Sequence, residues 1–158
     1  MRIRSRFAQL RIEPLEGRSL PAGNVTATLI AGTLRIVGDA AGNDITVNVI
    51  GSSVVVTGNS GTGTTVNGVS TPASFPATQV KALDIRMNDG NDEVEVDGLN
   101  LTRTSSLRGG DGDDDFTIMN SYFRNAAIRL DQGSGTEYLT IDASTFSHPV
   151  SISGSNVD

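Results

Sequence analysis

The stretch at residues 107–118, LRGGDGDDDFTI, decides the fold, because it specifies a turn, a set of oxygen ligands and a strand in one short segment. It fits the nonapeptide pattern G-G-x-G-x-D-x-U-x, in which U is apolar. Glycine permits a backbone with positive φ, where another side chain would clash. Carboxylates at the same turn supply the oxygen atoms that calcium requires. The positions that fit the pattern are Gly109, Gly110, Gly112, Asp114 and Phe116.

Two related stretches flank this one, at residues 85–96 (IRMNDGNDEVEV) and residues 130–141 (LDQGSGTEYLTI). Aligned without a gap, the three stretches place like residues in columns at offsets of 22 and 23 residues, and Ile152 would begin a further unit. Such self-similarity predicts a repeat architecture. The columns are Ile85, Leu107 and Leu130; Gly90, Gly112 and Gly135; Val94, Phe116 and Leu139; and Val96, Ile118 and Ile141.

The period predicts an all-β chain, specifically a short right-handed parallel β-helix with coils of about 22 residues, since a roll of paired nonapeptides would repeat every ~18 residues. A composition rich in Gly, Thr, Ser, Asn and Asp favours strands and tight turns. No window shows a helical period. The residues predicted to face inward are Leu83, Ile85, Val94, Val96, Leu101, Leu107, Phe116, Ile118, Phe123, Ile128, Leu130, Leu139, Ile141, Phe146, Val150 and Ile152.

Three segments follow from these patterns. Residues 1–23 are a basic N-terminal segment, expected to be disordered. Residues 24–79 predict a strand-rich N-terminal β-hairpin cap, with one hairpin turning at Ala31-Gly32 and a second near Gly51. A cap protects the exposed edge of a β stack from aggregation. Residues 80–158 are the repeat array, which ends inside a coil, so we expect either a truncated array or an end covered by a partner.

Charge and composition exclude several classes of function. The net charge is −6, and five of the twelve basic residues lie in the first 18 positions. The acidic body argues against nucleic acid as a partner. There is no cysteine, so disulfides and thiolate chemistry are excluded. No apolar run approaches the ~20 residues of a membrane-spanning helix.

The N-terminal segment resembles the Leu-Glu-x-Leu-Glu-x-Arg-x-Leu-like segment of many exported planctomycete proteins. Export or display at the bacterial cell surface is what this resemblance implies. The segment lacks the apolar stretch of a general secretory signal. The matching residues are Glu13, Pro14, Leu15, Glu16, Arg18 and Leu20.

The rest of the chain resembles repetitive planctomycete surface proteins with stacked GDGNDTV-type turns, which are similar to hemolysin-type calcium-binding repeat proteins. Residues 89–92 (DGND) and 109–115 (GGDGDDD) carry this resemblance. It implies a secreted, calcium-binding protein without catalytic activity. The third copy departs from the pattern, because Ser134 and Thr136 stand where acids are expected.

Stacked turns would allow a calcium ion to bridge neighbouring coils. The predicted ligands are the side chains of Asp89, Asp92, Asp111 and Asp114 with the carbonyl groups of Gly90, Gly110 and Gly112, and weaker candidates are Asn91, Asp113 and Glu137. Without a cation these carboxylates would repel one another, so binding and folding should be linked. The alternative is that the aspartates only shape turns, by hydrogen-bonding their own backbone.

Two rival functions remain open beside a calcium-stabilised structural or adhesive protein. A small β-helical polysaccharide lyase or hydrolase would use paired carboxylates such as Glu93, Glu95 and Asp97. No aromatic platform for sugars accompanies them, so we identify no catalytic residue. A metal-free structural spacer needs no site at all. Expected partners are calcium, cell-surface or matrix polymers, and neighbouring β-helix units.

Overall fold

The computed structural model describes residues 23–131 and 135–153, which form strands and turns and no helix. The prediction of an all-β chain is confirmed. None of the described residues belongs to a helix long and apolar enough to cross a membrane. The predicted export segment, apart from Gly23, lies outside the described residues. The strands are β1 (Asn24–Ile30), β2 (Thr33–Val37), β3 (Asp44–Ile50), β4 (Ser53–Gly58), β5 (Thr65–Val66), β6 (Ala73–Pro76), β7 (Ala82–Asp89), β8 (Glu93–Asp97), β9 (Asn100–Asp111), β10 (Asp115–Met119), β11 (Tyr122–Asp131), β12 (Tyr138–Asp142), β13 (Thr145–Phe146) and β14 (Ser151–Ser153).

The strands form two sheets. The first sheet has the order β13-β11-β9-β7-β2-β1-β5, with β14 also paired to β11, and the second has the order β12-β10-β8-β3-β4-β6. Strands β7 to β13 alternate between the two sheets and pair in parallel, and β14 joins the first sheet beside β13. The two predicted hairpins are confirmed, since β1 pairs antiparallel with β2 and β3 with β4. In each hairpin one strand joins the repeat array: β2 pairs in parallel with β7, and β3 pairs in parallel with β8.

Sheet register reproduces most of the columns seen in the sequence. Val94, Phe116 and Leu139 pair across β8, β10 and β12, at the predicted offsets of 22 and 23 residues. The placement of Leu130 was wrong: Leu107 pairs with Ile128, and Ile128 pairs with Ile152. The cause is an irregularity between Phe123 and Asn125, where the register of β11 against β9 changes. A fixed period in the sequence cannot reveal a bulge of this kind.

The core lies between the two sheets and is filled by side chains at alternate strand positions. Ten of the sixteen predicted inward residues, from Leu83 to Ile128, are buried. The prediction fails at Ile141 and Ile152, which are 40% and 43% exposed. Ile141 shares a column with the buried Ile118, but no described strand covers the outer edge of β12 or β14. Leu139, Phe146 and Val150 are half-buried for the same reason.

Candidate metal centre

Four turns stack at one corner of the molecule, at residues 38–44, 88–93, 110–115 and 135–138. A Cβ added to Gly112 would collide with the carbonyl oxygen of Gly90, and one added to Gly135 would collide with that of Gly112. Gly90 and Gly112 also have φ of +112° and +135°, a backbone that other residues rarely adopt. The glycine column therefore exists because successive turns approach too closely for a side chain.

An inner column of polar side chains runs through these turns and links each one to the turn before it. We define the inner column as Asn43, Asp92, Asp114 and Glu137, all buried. Oδ1 of Asp92 accepts a hydrogen bond from the backbone N–H of Asn43 at 2.7 Å. Asp92 N–H donates to Oδ1 of Asp114 at 3.1 Å, and Asp114 N–H donates to Oε2 of Glu137 at 3.1 Å. Asp92, Asp114 and Glu137 thus each satisfy a buried backbone donor of the preceding turn, whereas Oδ1 of Asn43 accepts a hydrogen bond from Asp39 N–H within its own turn.

An outer column repeats the same contacts at the surface. We define it as Asn91, Asp113 and Thr136, all exposed. Oδ1 of Asn91 accepts a hydrogen bond from Asp113 N–H at 3.1 Å, and Oδ1 of Asp113 accepts one from Thr136 N–H at 2.7 Å. Side chains in both columns therefore shape the turns by hydrogen bonding, which is the alternative that the sequence left open. The carboxylate or amide oxygens that link the turns accept from a backbone N–H of the adjacent turn, whereas the sequence predicted bonds within the same turn.

The predicted ligands are brought into two separate groups. Asp92, Asp114 and the weaker candidate Glu137 lie together in the inner column, whereas Asp89 and Asp111 are exposed and face each other across β7 and β9. Asp89 and Asp111 line a shallow hollow together with Arg86 and Arg108. Within the described ranges, no group of three or more His, Asp or Glu side chains is arranged to hold a metal ion as it stands.

Burial dominates the electrostatics of the inner column. It raises the pKa of Asp92 to about 7, and the negative charges of Asp114, Asp39 and Asp89 add to this rise, while the hydrogen bond from Asn43 N–H opposes it. The first turn differs, because the neutral Asn43 occupies the inner column there, and the acid whose pKa is shifted is Asp39. Burial would raise the pKa of Asp39, but hydrogen bonds from Ala41 N–H, the Asn43 side chain and Asn24 N–H hold it below its ordinary value.

One carboxylate oxygen of the inner column has no protein partner. Oδ2 of Asp92 is buried and accepts no hydrogen bond from any described residue. A buried anionic oxygen left in this way is costly. Carboxylates and turn carbonyls are also the hard donors that calcium prefers, although it takes about 6–8 oxygen ligands. The oxygen ligands present are of the type that calcium binds, and backbone carbonyls or water molecules would have to complete the coordination number.

Sequence reasoning missed several residues of these columns. Asn43 and Asp39 were not proposed as site residues, although the segment GDAAGND at residues 38–44 echoes the later turns. A serine column at the next corner was missed too: Ser121 Oγ accepts a hydrogen bond from Leu99 N–H at 3.1 Å, and Ser144 Oγ accepts one from Ser121 N–H at 3.1 Å. The 23-residue spacing of these two serines was the available signal.

The carboxylates of the rival catalytic hypothesis lie on β8, which begins directly after Asp92 of the inner column. Glu93 is exposed and has Asp44 and Asp115 as its neighbours on the adjacent strands. The negative charge of Asp44, then burial, then the charges of Asp115 and Glu95 raise the pKa of Glu93. A hollow of about 540 Å³ beside Asp44 and Glu93 has no aromatic residue among those that line it. The geometry thus gives an acidic strip without a sugar-stacking surface.

Comparison with known proteins gives no relative: no protein-family model, no curated protein and no solved structure matches the chain.

Proposed function

We propose that this protein is a structural or adhesive β-helix that is exported to the bacterial surface, is stabilised by calcium and has no catalytic activity. The observation that carries the proposal is the inner column, in which one buried oxygen of Asp92 accepts no hydrogen bond from the part of the chain that the structure describes. A site that holds adjacent turns together is suited to stabilise a scaffold.

The β-helical part of the proposal rests on strand order and register. Strands alternate between two sheets, and each pairs in parallel with a strand about one repeat away along the chain. Successive repeats would then be coils of one helix, with β7, β9 and β11 on one face and β8, β10 and β12 on the other. Right-handed winding follows from the strong preference for right-handed connections between parallel strands.

Calcium would occupy the corner between the second and third turns. Asp92 and Asp114 would supply carboxylate oxygens there, and bound calcium would offset the repulsion that disfavours two charged, buried carboxylates. Asp89 and Asp111 stand on the outer side of the same turns. We assign the inner pair the main role, because a metal ion gains more from ligands that are shielded from water.

A metal-free spacer is the second candidate, and one observation favours it. With its pKa raised to about 7, Asp92 is readily protonated, and a protonated carboxyl group can donate a hydrogen bond instead of carrying a charge. The inner column would then be stable without a metal ion at mildly acidic pH. The calcium-stabilised protein should unfold at a higher temperature when calcium is added at neutral pH. The metal-free spacer should not respond to calcium and should be most stable at mildly acidic pH.

Thermal unfolding with and without calcium distinguishes them. At pH 7.5, ~10 mM calcium should raise the melting temperature by about 3–10 °C over a chelator-treated sample, if affinity is in the ~10⁻⁴–10⁻³ M range of extracellular modules. Magnesium at the same concentration should have a smaller effect, because it demands stricter geometry and keeps its water.

A matched pair of variants locates the effect. Asp92→Asn keeps an oxygen that accepts the hydrogen bond from Asn43 N–H but removes the charge, so it should abolish most of the calcium response. Asp113→Asn makes the same chemical change in the outer column and should leave the response intact. A wild-type melt that does not respond to calcium at pH 7.5 would reject the calcium role and leave the metal-free spacer.

A further inference from the structure

Charge is divided between the two sheets. Seven basic residues lie beyond position 18, and six of them stand in strands of the first sheet, while Lys81 directly precedes β7. No strand of the second sheet contains a basic residue, and those strands contain six acids. The strands of the first sheet also contain four acids, Asp84, Asp89, Asp111 and Asp131, so basic residues are in small excess there. The six basic strand residues are Arg35, Arg86, Arg103, Arg108, Arg124 and Arg129.

Part of this basic charge is aligned across the first sheet, at or near the N-terminal ends of β7, β9 and β11. Arg103 N–H donates to the carbonyl oxygen of Lys81 at 2.9 Å, so Arg103 in β9 lies beside the residue that precedes β7. Further across the same sheet, Nδ1 of His148 lies 2.7 Å from the carbonyl oxygen of Arg124. We define Lys81, Arg103, Arg124 and His148 as the basic edge. Lys81 precedes β7, Arg103 lies in β9, Arg124 lies in β11 and His148 follows β13, so successive members belong to successive layers of the sheet, which are spaced ~4.8 Å apart.

A hollow of about 390 Å³ opens on this edge. Its charged members are Arg103 and Arg124, and Thr102, Thr104, Asn125 and His148 supply further polar groups. Arg103 is partly engaged, because its Nη1 donates to the carbonyl oxygen of Ala31 at 2.8 Å. The guanidinium group of Arg124 is exposed and makes no hydrogen bond or ion pair with any described residue. It is available to a ligand.

We propose that the basic edge binds an acidic polysaccharide that carries carboxylate groups along an extended chain. The geometry favours a linear ligand, because the cationic groups follow the direction in which the strands stack. The fork of donors on Arg124 matches a carboxylate, and the neighbouring hydroxyl and amide groups suit sugar hydroxyls. This proposal goes beyond the structural role above and does not depend on calcium, since the basic edge and the inner column involve different corners.

Duplex nucleic acid fits this edge less well. It carries one charge per ~1.7 Å of its axis, which is far denser than the basic edge, so most phosphates would face an otherwise acidic protein. An extended acidic sugar chain has more widely spaced charges, which match one cationic group per strand. The acidic second sheet of another copy of this chain is the other conceivable occupant, and the experiment below separates these cases.

Calorimetric titration of the full chain with short oligogalacturonates, which carry one carboxylate per sugar, tests the proposal. Binding should be measurable at low salt and weaker at physiological salt, because exposed charges are screened. Arg124→Gln should weaken binding about fivefold, the upper range for one exposed charge pair. Neutral maltooligosaccharides should not bind.

Arg86→Gln is the matched control. It removes the same charge from the same sheet, but Arg86 is already paired with Asp84 at 3.1 Å, so its loss should change the affinity less than about twofold. Thermal melts of both variants check that they fold. Three results would overturn the proposal: no binding at low salt, equal losses in the two variants, or tighter binding of a short DNA duplex. Salt-sensitive self-association that Arg124→Gln abolishes, without sugar binding, would assign the edge to a second copy.

Discussion

The inner and outer columns of the stacked turns make the same contacts in different surroundings. Asp92 and Asp113 each accept a hydrogen bond at 2.7 Å from a backbone N–H of a neighbouring turn. Asp92 is only 2% exposed, and its pKa is raised to about 7 by burial and by nearby carboxylates. Asp113 is exposed. Local hydrogen bonding alone therefore does not distinguish a candidate metal ligand from a turn-shaping residue, whereas burial does.

Both columns depend on turns that are stacked at close approach, and the first prediction tests this. Gly112→Ala should reduce the free energy of unfolding by at least about 4 kcal/mol, because it combines a strained φ with a collision against the backbone of the second turn. The φ of Gly112 is +135°, and the added Cβ would meet the carbonyl oxygen of Gly90. Urea unfolding followed by circular dichroism measures the loss.

Gly51→Ala is the control for this change. Gly51 also has a positive φ, of +61°, but an added Cβ would meet nothing within 4 Å. We expect a cost of about 1 kcal/mol from backbone strain alone. If the two variants lose similar stability, close stacking of the turns is not what positions the columns.

The sequence predicted the strands and the turns well because apolar alternation and glycine position are local signals. Val94, Phe116 and Leu139 fall into one column in both sequence and structure. Leu130 was misplaced because the irregularity after Phe123 changes the register without an apolar signature. The exposure of Ile141 depends on whether a further strand covers β12, and no property of the residue itself reports this.

The arrangement of the acids in these turns differs from the one predicted from the sequence. The motif identified four aspartates as one set of ligands. The structure separates them into a buried pair, Asp92 and Asp114, and an exposed pair, Asp89 and Asp111. Neighbouring acids in a turn point to different sides, and that division depends on the exact path of the backbone. The role of Asn43 was missed because a neutral residue in the first turn does not fit an acidic motif.

The second prediction concerns the pKa of Asp92 and its effect on the free energy of unfolding. The pKa of Asp92 is raised from 3.8 to about 7 in the folded chain. Between these values the folded protein holds a proton that the unfolded chain releases, so this contribution to stability is present at pH 4 and is lost as the pH rises through 7. In calcium-free buffer, Asp92 should therefore make wild-type stability fall by about 2–4 kcal/mol over this range.

Asp92→Asn isolates this contribution from those of other carboxylates. The difference between wild type and Asp92→Asn in the free energy of unfolding, measured by urea at several pH values, should decline between pH 4 and pH 7. Asp113→Asn makes the same chemical change at an exposed position and controls for the substitution itself. A flat difference for Asp92→Asn would mean that Asp92 titrates like an ordinary surface acid, and the calcium proposal would lose its electrostatic basis.

The smallest expected effect is in the outer column. Asp113→Ala removes the acceptor for Thr136 N–H, but both residues are exposed, so water replaces the bond and stability should change by less than about 0.5 kcal/mol. The equivalent inner change, Asp114→Ala, leaves the buried N–H of Asp92 without this acceptor and should cost about 1–3 kcal/mol. Hydrogen exchange should report the same contrast, with faster exchange at Asp92 in Asp114→Ala. Equal costs for the two variants would show that the columns differ in position only, and burial would no longer support the proposal that the inner column holds the ion.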